Sequence, residues 1–462
     1  GQINHLLRRA GFGPSPSDIG EYLALGVSGA IDRLLNFGSV PNDALEQLLA
    51  SRNFTFATRE ELGQWWLLRM LYTPRPLEEK MALFWHGLLT SSFTKVGGKR
   101  GLPWLIQQNQ VLRNKGMGRF DDLIKAITGD PAMLYWLDGH VSTGNNPNEN
   151  YARELMELFT MGIGNYTQDD VHQGALIFTG WAVRNGQGVF VPSRHYTGTE
   201  TFLGHTGAFS SDDAIKLICA HPATGPHLAG HLWTFFVHDS PSSSDLKPLV
   251  DAYYQQDHSI AAMMKALLSS PAFFSSQTYR ARVKSPAEFV VGAVRGLAVP
   301  APQSQALNFL YGAMVEMGQT LFDPPNVAGW DGDKVSAAWM STQAWLTRVN
   351  FINALVAAAA GIPLQGQGKG KRSGASANPQ NSLLQHLLTS QQLHTAQDVA
   401  RYFTAALLDG QLSGDRTALL TQTLAQGDGG PSFKLAGGAQ LSATALRNML
   451  YLLHSLPEYQ MN

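Results

Sequence analysis

The sequence predicts a mainly α protein: a large multi-helix body carrying one small β-hairpin arm. Three observations point there. Apolar residues recur at helical spacing through most of the 462 residues, in segments that begin near Ser, Thr, Asp or Asn and stop near Gly. One stretch, 183–207, reads differently: its VFVPSRHYTGTETFLG run sets β-branched and aromatic residues between Gly, Pro and Ser. Composition, 44% apolar against 15% charged, describes a globular chain with a large core and few surface charges.

The helices follow in order. The first half predicts them over 4–10, 15–26, 28–36, 42–51, 60–72 and 76–89, the last two rich in Trp and Phe and carrying His86 in the run FWHGLL. A glycine-rich loop is expected at 97–101, without phosphate-loop spacing. Helices over 102–115 and 120–128 come next, then one capped by Asp130-Pro131. Beyond the arm, helices are expected over 212–219, 226–237, 246–254, 260–269, 286–297, 302–318 and 341–360. The run 322–332 (FDPPNVAGWDG) is too punctuated by Pro and Gly for regular structure and reads as a rigid aromatic loop lining a pocket. The expected organisation is a helical core over 1–364, a Gly/Ser/Lys-rich linker at 365–382, and C-terminal helices over 383–462 packing on the core. The linker has almost no apolar side chains, so its deletion is expected to leave folding intact.

The densest chemistry lies in 145–181, NNPNENYARELMELFTMGIGNYTQDDVHQGALIFTGW. Asn146 reads as an N-cap, Pro147 as the first helical residue and Glu149 as the partner of a capping box. On a wheel of about 100° per residue, Tyr151, Leu155, Leu158 and Phe159 face one way, and Asn150, Arg153, Glu154 and Glu157 the other. Glu154 and Glu157 are one turn apart, ~5–6 Å between Cβ atoms, and Arg153 is placed to pair with Glu157. Such an arc reads equally as a solvated face with a salt bridge. A second helix is capped by Thr167, with Asp170 at its third position. His227 and His231 stand four apart on a helix, a metal-holding spacing. No Glu occupies the zinc-protease position and no Glu-x-x-His occurs, so they are not taken as ligands.

Charge and length exclude some classes. A net charge of −1 gives no basic field for nucleic acid. No apolar run approaches the ~20 residues of a membrane span. Cys219 is the one cysteine, so no internal disulfide forms. The chain starts at Gly1 rather than Met, as after removal of a targeting segment.

Eight ordered blocks carry a family resemblance: FWHGLLTSS, DPAMLYWLDG, PNENYARELMELFTMGIGNYTQDDV, IFTGW, HPAT with LW and FV behind it, KSPAEFVV, DPPNVAGW and the closing LPEYQ. Over 6–459 the chain resembles the bacterial family called domain of unknown function 1800. The resemblance implies a helical architecture, a secreted or periplasmic location and a sulfatase-like partner protein. Its motif positions are His86, Asn148, Asn150, Arg153, Glu154, Glu157, Asp170 and Trp181, with Pro324, Pro325, Asn326, Gly329 and Trp330. The chain departs from the pattern after His86, where an Asn-His-Phe-like run gives way to Gly87-Leu88-Leu89.

The leading functional expectation is a hydrolase or lyase acting on a polysaccharide. Glu154, Glu157, Arg153, Asp170 and His86 are the candidate catalytic residues, and Asn148, Asn150, Trp181, His195, Asn326 and Trp330 line the substrate. Two carboxylates flanking a scissile bond need ~5–9.5 Å across it. One glutamate of the pair therefore needs a partner from elsewhere, such as Asp138, Asp170, Asp323 or Asp331. No cofactor or metal is required by the sequence. Two alternatives stand beside this: a non-catalytic cell-envelope scaffold in which the polar arc joins helices, and a metal enzyme using Glu, His and Asp ligands.

Overall fold

The computed structural model describes residues 1–362, 378–410, 412–426 and 429–462. It is mainly α, with three small two-stranded antiparallel sheets among the described residues. No helix described is long and apolar enough to cross a membrane. The chain divides into two compact units. One comprises Ile31–Thr278 and Gln319–Ser336; the other comprises Gly1–Ala30, Tyr279–Gly318 and Ala337–Asn462.

The first unit is built around aromatic helices. Arg59–Tyr72 and Pro76–Leu88 bury Trp66 and Trp85, and Thr224–Phe236 buries Trp233 and Phe236. These side chains are large, and each removes ~150–250 Å² of surface from water. Their polar edges are answered: Trp85 donates to Gly116 O at 2.8 Å and Trp66 to Glu79 Oε2 at 2.9 Å. Glu79 is fully buried and also receives Arg69 and Arg113, at 3.1 and 2.7 Å on Oε1.

The second unit packs Pro286–Gly296, Thr342–Ala359 and Ala443–Ser455 among its helices. Two of the resemblance blocks meet here: Lys284 of KSPAEFVV lies 3.7 Å from the ring centroid of Tyr459 in LPEYQ. Arg348 donates to Lys284 O at 2.6 Å and to Gln460 Oε1 at 3.1 Å. Both side chains are buried, Lys284 at 4% and Tyr459 at 2% exposure.

Several expectations are corrected. The stretch 97–101 is not a loop; a helix runs Gly98–Lys115, entered through Gly97 at φ 96° and Gly98 at φ 40°. Gly101 is placed where an ideal Cβ would stand 2.8 Å from Val96 O, so the glycine serves close packing there. The helix expected to stop at Gly26 continues through it as a kink at φ 65°, from Pro16 to Leu35. The arm is two hairpins, Trp181–Arg184 with Gln187–Phe190 and Glu200–Phe202 with His205–Gly207. A third hairpin, Ser432–Lys434 with Gln440–Ser442, went unread because each strand is three residues long. Most of the expected linker, 365–377, lies outside the described residues. Its end, 378–382, is ordered: Pro379–Asn381 form a turn and Ser382 caps the helix Leu383–Ser390. A deletion that spares the fold therefore stops short of Asn378.

Candidate functional site

The motif helix begins later than its sequence suggests. Asn146 is consumed by a tight turn, its N–H donating to Thr143 O at 2.9 Å, so Asn148 caps the helix instead and accepts from Asn150 N at 2.9 Å. The α portion is Glu149–Glu154; Leu155–Thr160 then widens into a π-turn. Met161 N accordingly reaches back five residues to Met156 O at 3.0 Å. The change in pitch explains why Arg153 does not pair with Glu157, as the wheel expected. It turns back to Glu149 at 2.8 Å, four residues earlier on the regular turn, and to Gln168 at 3.1 Å.

The helix stops at Gly162, at φ 81°. A Cβ there would stand 2.8 Å from His227 Nδ1, so glycine is needed for the turn and for the approach of that imidazole. Leu158 O receives His227 Nε2 at 3.0 Å, and Tyr166, beyond the turn, places its hydroxyl 2.9 Å from Glu157 Oε2. His231 Nε2 lies 3.2 Å from His227 Nε2. A carbonyl can only accept, so His227 carries its proton on Nε2 and shares it between Leu158 O and His231. His227 Nδ1 is then the bare nitrogen. Both imidazoles are held neutral: burial lowers His227, and burial with His227 and Lys334 nearby lowers His231 to about 3. Burial and the Glu157 carboxylate push the Tyr166 phenol up to about 12.

Glu157, His227 and His231 face an open cavity of about 710 Å³, within the ~300–1,000 Å³ range of ligand sites. Glu157, His227, His231, Lys334 and Asn165 supply its polar wall; Leu88, Ile163 and other apolar residues supply the rest. Ile163 is 79% exposed at the rim. Leu88, two residues after His86, lies on this wall.

The sequence candidates scatter around it. Glu157 lines the cavity and Glu154, one turn back, does not. Glu154 is half-buried; burial first, then Glu157, hold its carboxyl above the usual range, against Arg153. Trp330, 4% exposed, lines a smaller adjoining recess that shares His231 and Lys334. His86 lies behind it, 2% exposed, 5.5 Å from the Trp330 ring, and accepts from Phe322 N at 3.1 Å. Burial lowers His86 to about 3, so it is a neutral wall support. Asn326 folds its amide oxygen onto Ala328 N at 2.8 Å, shaping the loop.

Asp170 completes the capping box with Thr167 and accepts from Leu203 N at 2.8 Å. Asn150 donates to Asp138 at 3.3 Å, and Trp181 to Ser211 at 3.2 Å. His195 Nδ1 lies 3.1 Å from Thr179 O. None of these four lines the cavity. Asp323, a possible second carboxylate, is occupied by Arg59 at 2.7 Å, Thr94 and Ser92. Lys334, Asn165 and Tyr166 were not singled out from the sequence, and among the described residues no three His, Cys, Asp or Glu groups gather to hold a metal.

The loop behind the wall is tightly constrained. Gly329 has φ 78°, and a Cβ there would stand 2.2 Å from Gly87 O. Gly329→Ala is expected to cost about 1–3 kcal/mol from backbone strain and overpacking. A urea melt within 0.5 kcal/mol of the parent, roughly the scatter of a neutral surface change, would show that the loop yields.

No curated protein and no solved structure matches the chain. The family described as "Protein of unknown function (DUF1800)" matches residues 5–461. With the helical body and nearly the whole chain accounted for, this protein belongs to the DUF1800 family.

Proposed function

We propose that the chain is an extracytoplasmic enzyme that cleaves a polysaccharide in the Glu157 cavity. The location rests on the family resemblance. The carrying observation is the convergence of a carboxylate, two neutral imidazoles and an ammonium on one open, largely apolar concavity. Sugars present hydroxyls at their edges and apolar C–H faces; Glu157 and Asn165 suit the former, and Leu88, Leu158 and Ile163 the latter. A neutral imidazole is the form that accepts a proton at physiological pH.

Reducing-end release from a panel of acidic and neutral polysaccharides tests this, using the full chain. The expected result is new reducing ends on at least one polymer. Tight binding without chain scission would favour the non-catalytic scaffold instead.

A further inference from the structure

We infer that the polymer is acidic, built with uronate sugars, and that the cavity cleaves it by elimination rather than by adding water. This rests on the polysaccharide-cleaving reading above. Hydrolysis through two carboxylates needs a second one across the scissile bond, yet Glu157 is the only carboxylate lining the main cavity, and Asp333 stands in the adjoining recess. Glu154 is on the same helix and off the wall, and Asp323 is held by Arg59, Ser92 and Thr94.

What the wall offers instead is a base and a cation. His227 has its Nε2 proton committed to Leu158 O, leaving Nδ1 beside wall residue Gly162. Lys334 makes no side-chain hydrogen bond or ion pair among the described residues, and it lies near enough to His231 to disfavour that ring's protonation. An ammonium without a carboxylate partner at a cavity wall suits an anionic substrate group. Placed on a uronate carboxylate, it stabilises the negative charge that develops there when the adjacent carbon loses its proton. Glu157 keeps one oxygen on Tyr166 and turns the other to a sugar hydroxyl.

The step balances without any added reagent. His227 Nδ1 takes the proton from the carbon next to the uronate carboxylate. The electron pair left behind closes a double bond to the neighbouring ring carbon. That carbon's bond to the glycosidic oxygen breaks, with its electrons on oxygen. The oxygen takes a proton from water, and the proton on His227 passes to the hydroxide so formed. One fragment ends in an unsaturated uronate and the other in a hemiacetal hydroxyl, the new reducing end.

The test incubates the full chain with polygalacturonate, alginate and a neutral dextran, reading both reducing ends and the ultraviolet absorbance of the unsaturated uronate. The expected result is a coupled rise of both signals on a uronate polymer and none on dextran. His227→Gln should lower the rate about 10²–10⁴-fold. Lys334→Gln, at an exposed position that does not threaten folding, should lower kcat/KM about 10²-fold, with most of the loss in kcat. Reducing ends without absorbance, or cleavage of dextran alone, would overturn elimination and leave polysaccharide cleavage standing. No cleavage of any polymer in the wider panel removes both.

Discussion

Glu79→Gln is expected to destabilise the protein by about 3–5 kcal/mol, the cost of breaking a buried charge network by removing one partner. Glu79 is fully buried between two guanidiniums and an indole. Arg113 donates to both of its oxygens at 2.7 and 2.8 Å, Arg69 to one at 3.1 Å and Trp66 to the other at 2.9 Å. An amide keeps the shape but brings no charge, and turns an N–H₂ toward donors. Arg69 keeps Glu46 at 2.7 Å, whereas among the described residues Arg113 keeps only Asn109 at 2.8 Å as a hydrogen-bond partner. The same network sets an acid limit. Burial by itself raises the Glu79 carboxyl; Arg113 and then Arg69 outweigh it and hold it at about 2. A lowered folded value means that the stabilisation is complete above the unfolded carboxylate value of about 4.3. It is lost as pH falls through about 2, and is worth roughly 3 kcal/mol. Urea melts of the parent and Glu79→Gln should converge toward pH 2; a constant gap from pH 7 to pH 2 would contradict this.

Glu157→Gln is expected to lower kcat/KM for polysaccharide cleavage about tenfold, through a weaker hydrogen bond to a sugar hydroxyl, with little change in melting temperature. Glu157 borders the cavity and its one described hydrogen-bond partner is Tyr166, so the amide oxygen can still accept that phenol at similar distance. What disappears is the charge that strengthens its hydrogen bond to a sugar hydroxyl. Glu154→Gln provides the contrast. Glu154 lies off the wall, crowded by Glu157 and opposed by Arg153. Its replacement should leave the rate within about threefold and stability within about 0.5 kcal/mol. If Glu154→Gln were the inactive variant and Glu157→Gln the active one, the cavity would not be the site.

Local chemistry was legible wherever neighbours in sequence decide the structure. Thr167 and Asp170 close a capping box as their spacing requires, and Gly162 ends the motif helix in the left-handed region. Asn146 misled because two asparagines and a proline offered competing starts, and only the turn back to Thr143 settles the choice in favour of Asn148. The π-turn at Leu155–Thr160 has no mark in apolar periodicity, so the wheel placed Arg153 against Glu157. The cavity was less legible still. His227 meets Leu158 across 69 residues of sequence, a pairing that no local pattern encodes. Its one sequence sign was the four-residue spacing to His231, which reads as a metal motif and is here a proton-sharing pair. Asp323 shows the converse. It looked free in the loop, yet its partners Arg59, Ser92 and Thr94 come from far along the chain.

The central claim is that the Glu157 cavity holds the polymer while it is cut. Ala223→Trp tests this most directly, because it removes no polar group and fills the cavity from its wall. Ala223 precedes the histidine helix with an ordinary αR backbone and partial exposure, so the indole is tolerated locally. The measurement is kcat/KM for depolymerisation of the best polymer, parent against Ala223→Trp, with melting temperatures matched. The account predicts a loss of at least about 100-fold, near 2.7 kcal/mol of transition-state stabilisation. Unchanged kcat/KM in a variant that melts like its parent would place the chemistry elsewhere on the molecule.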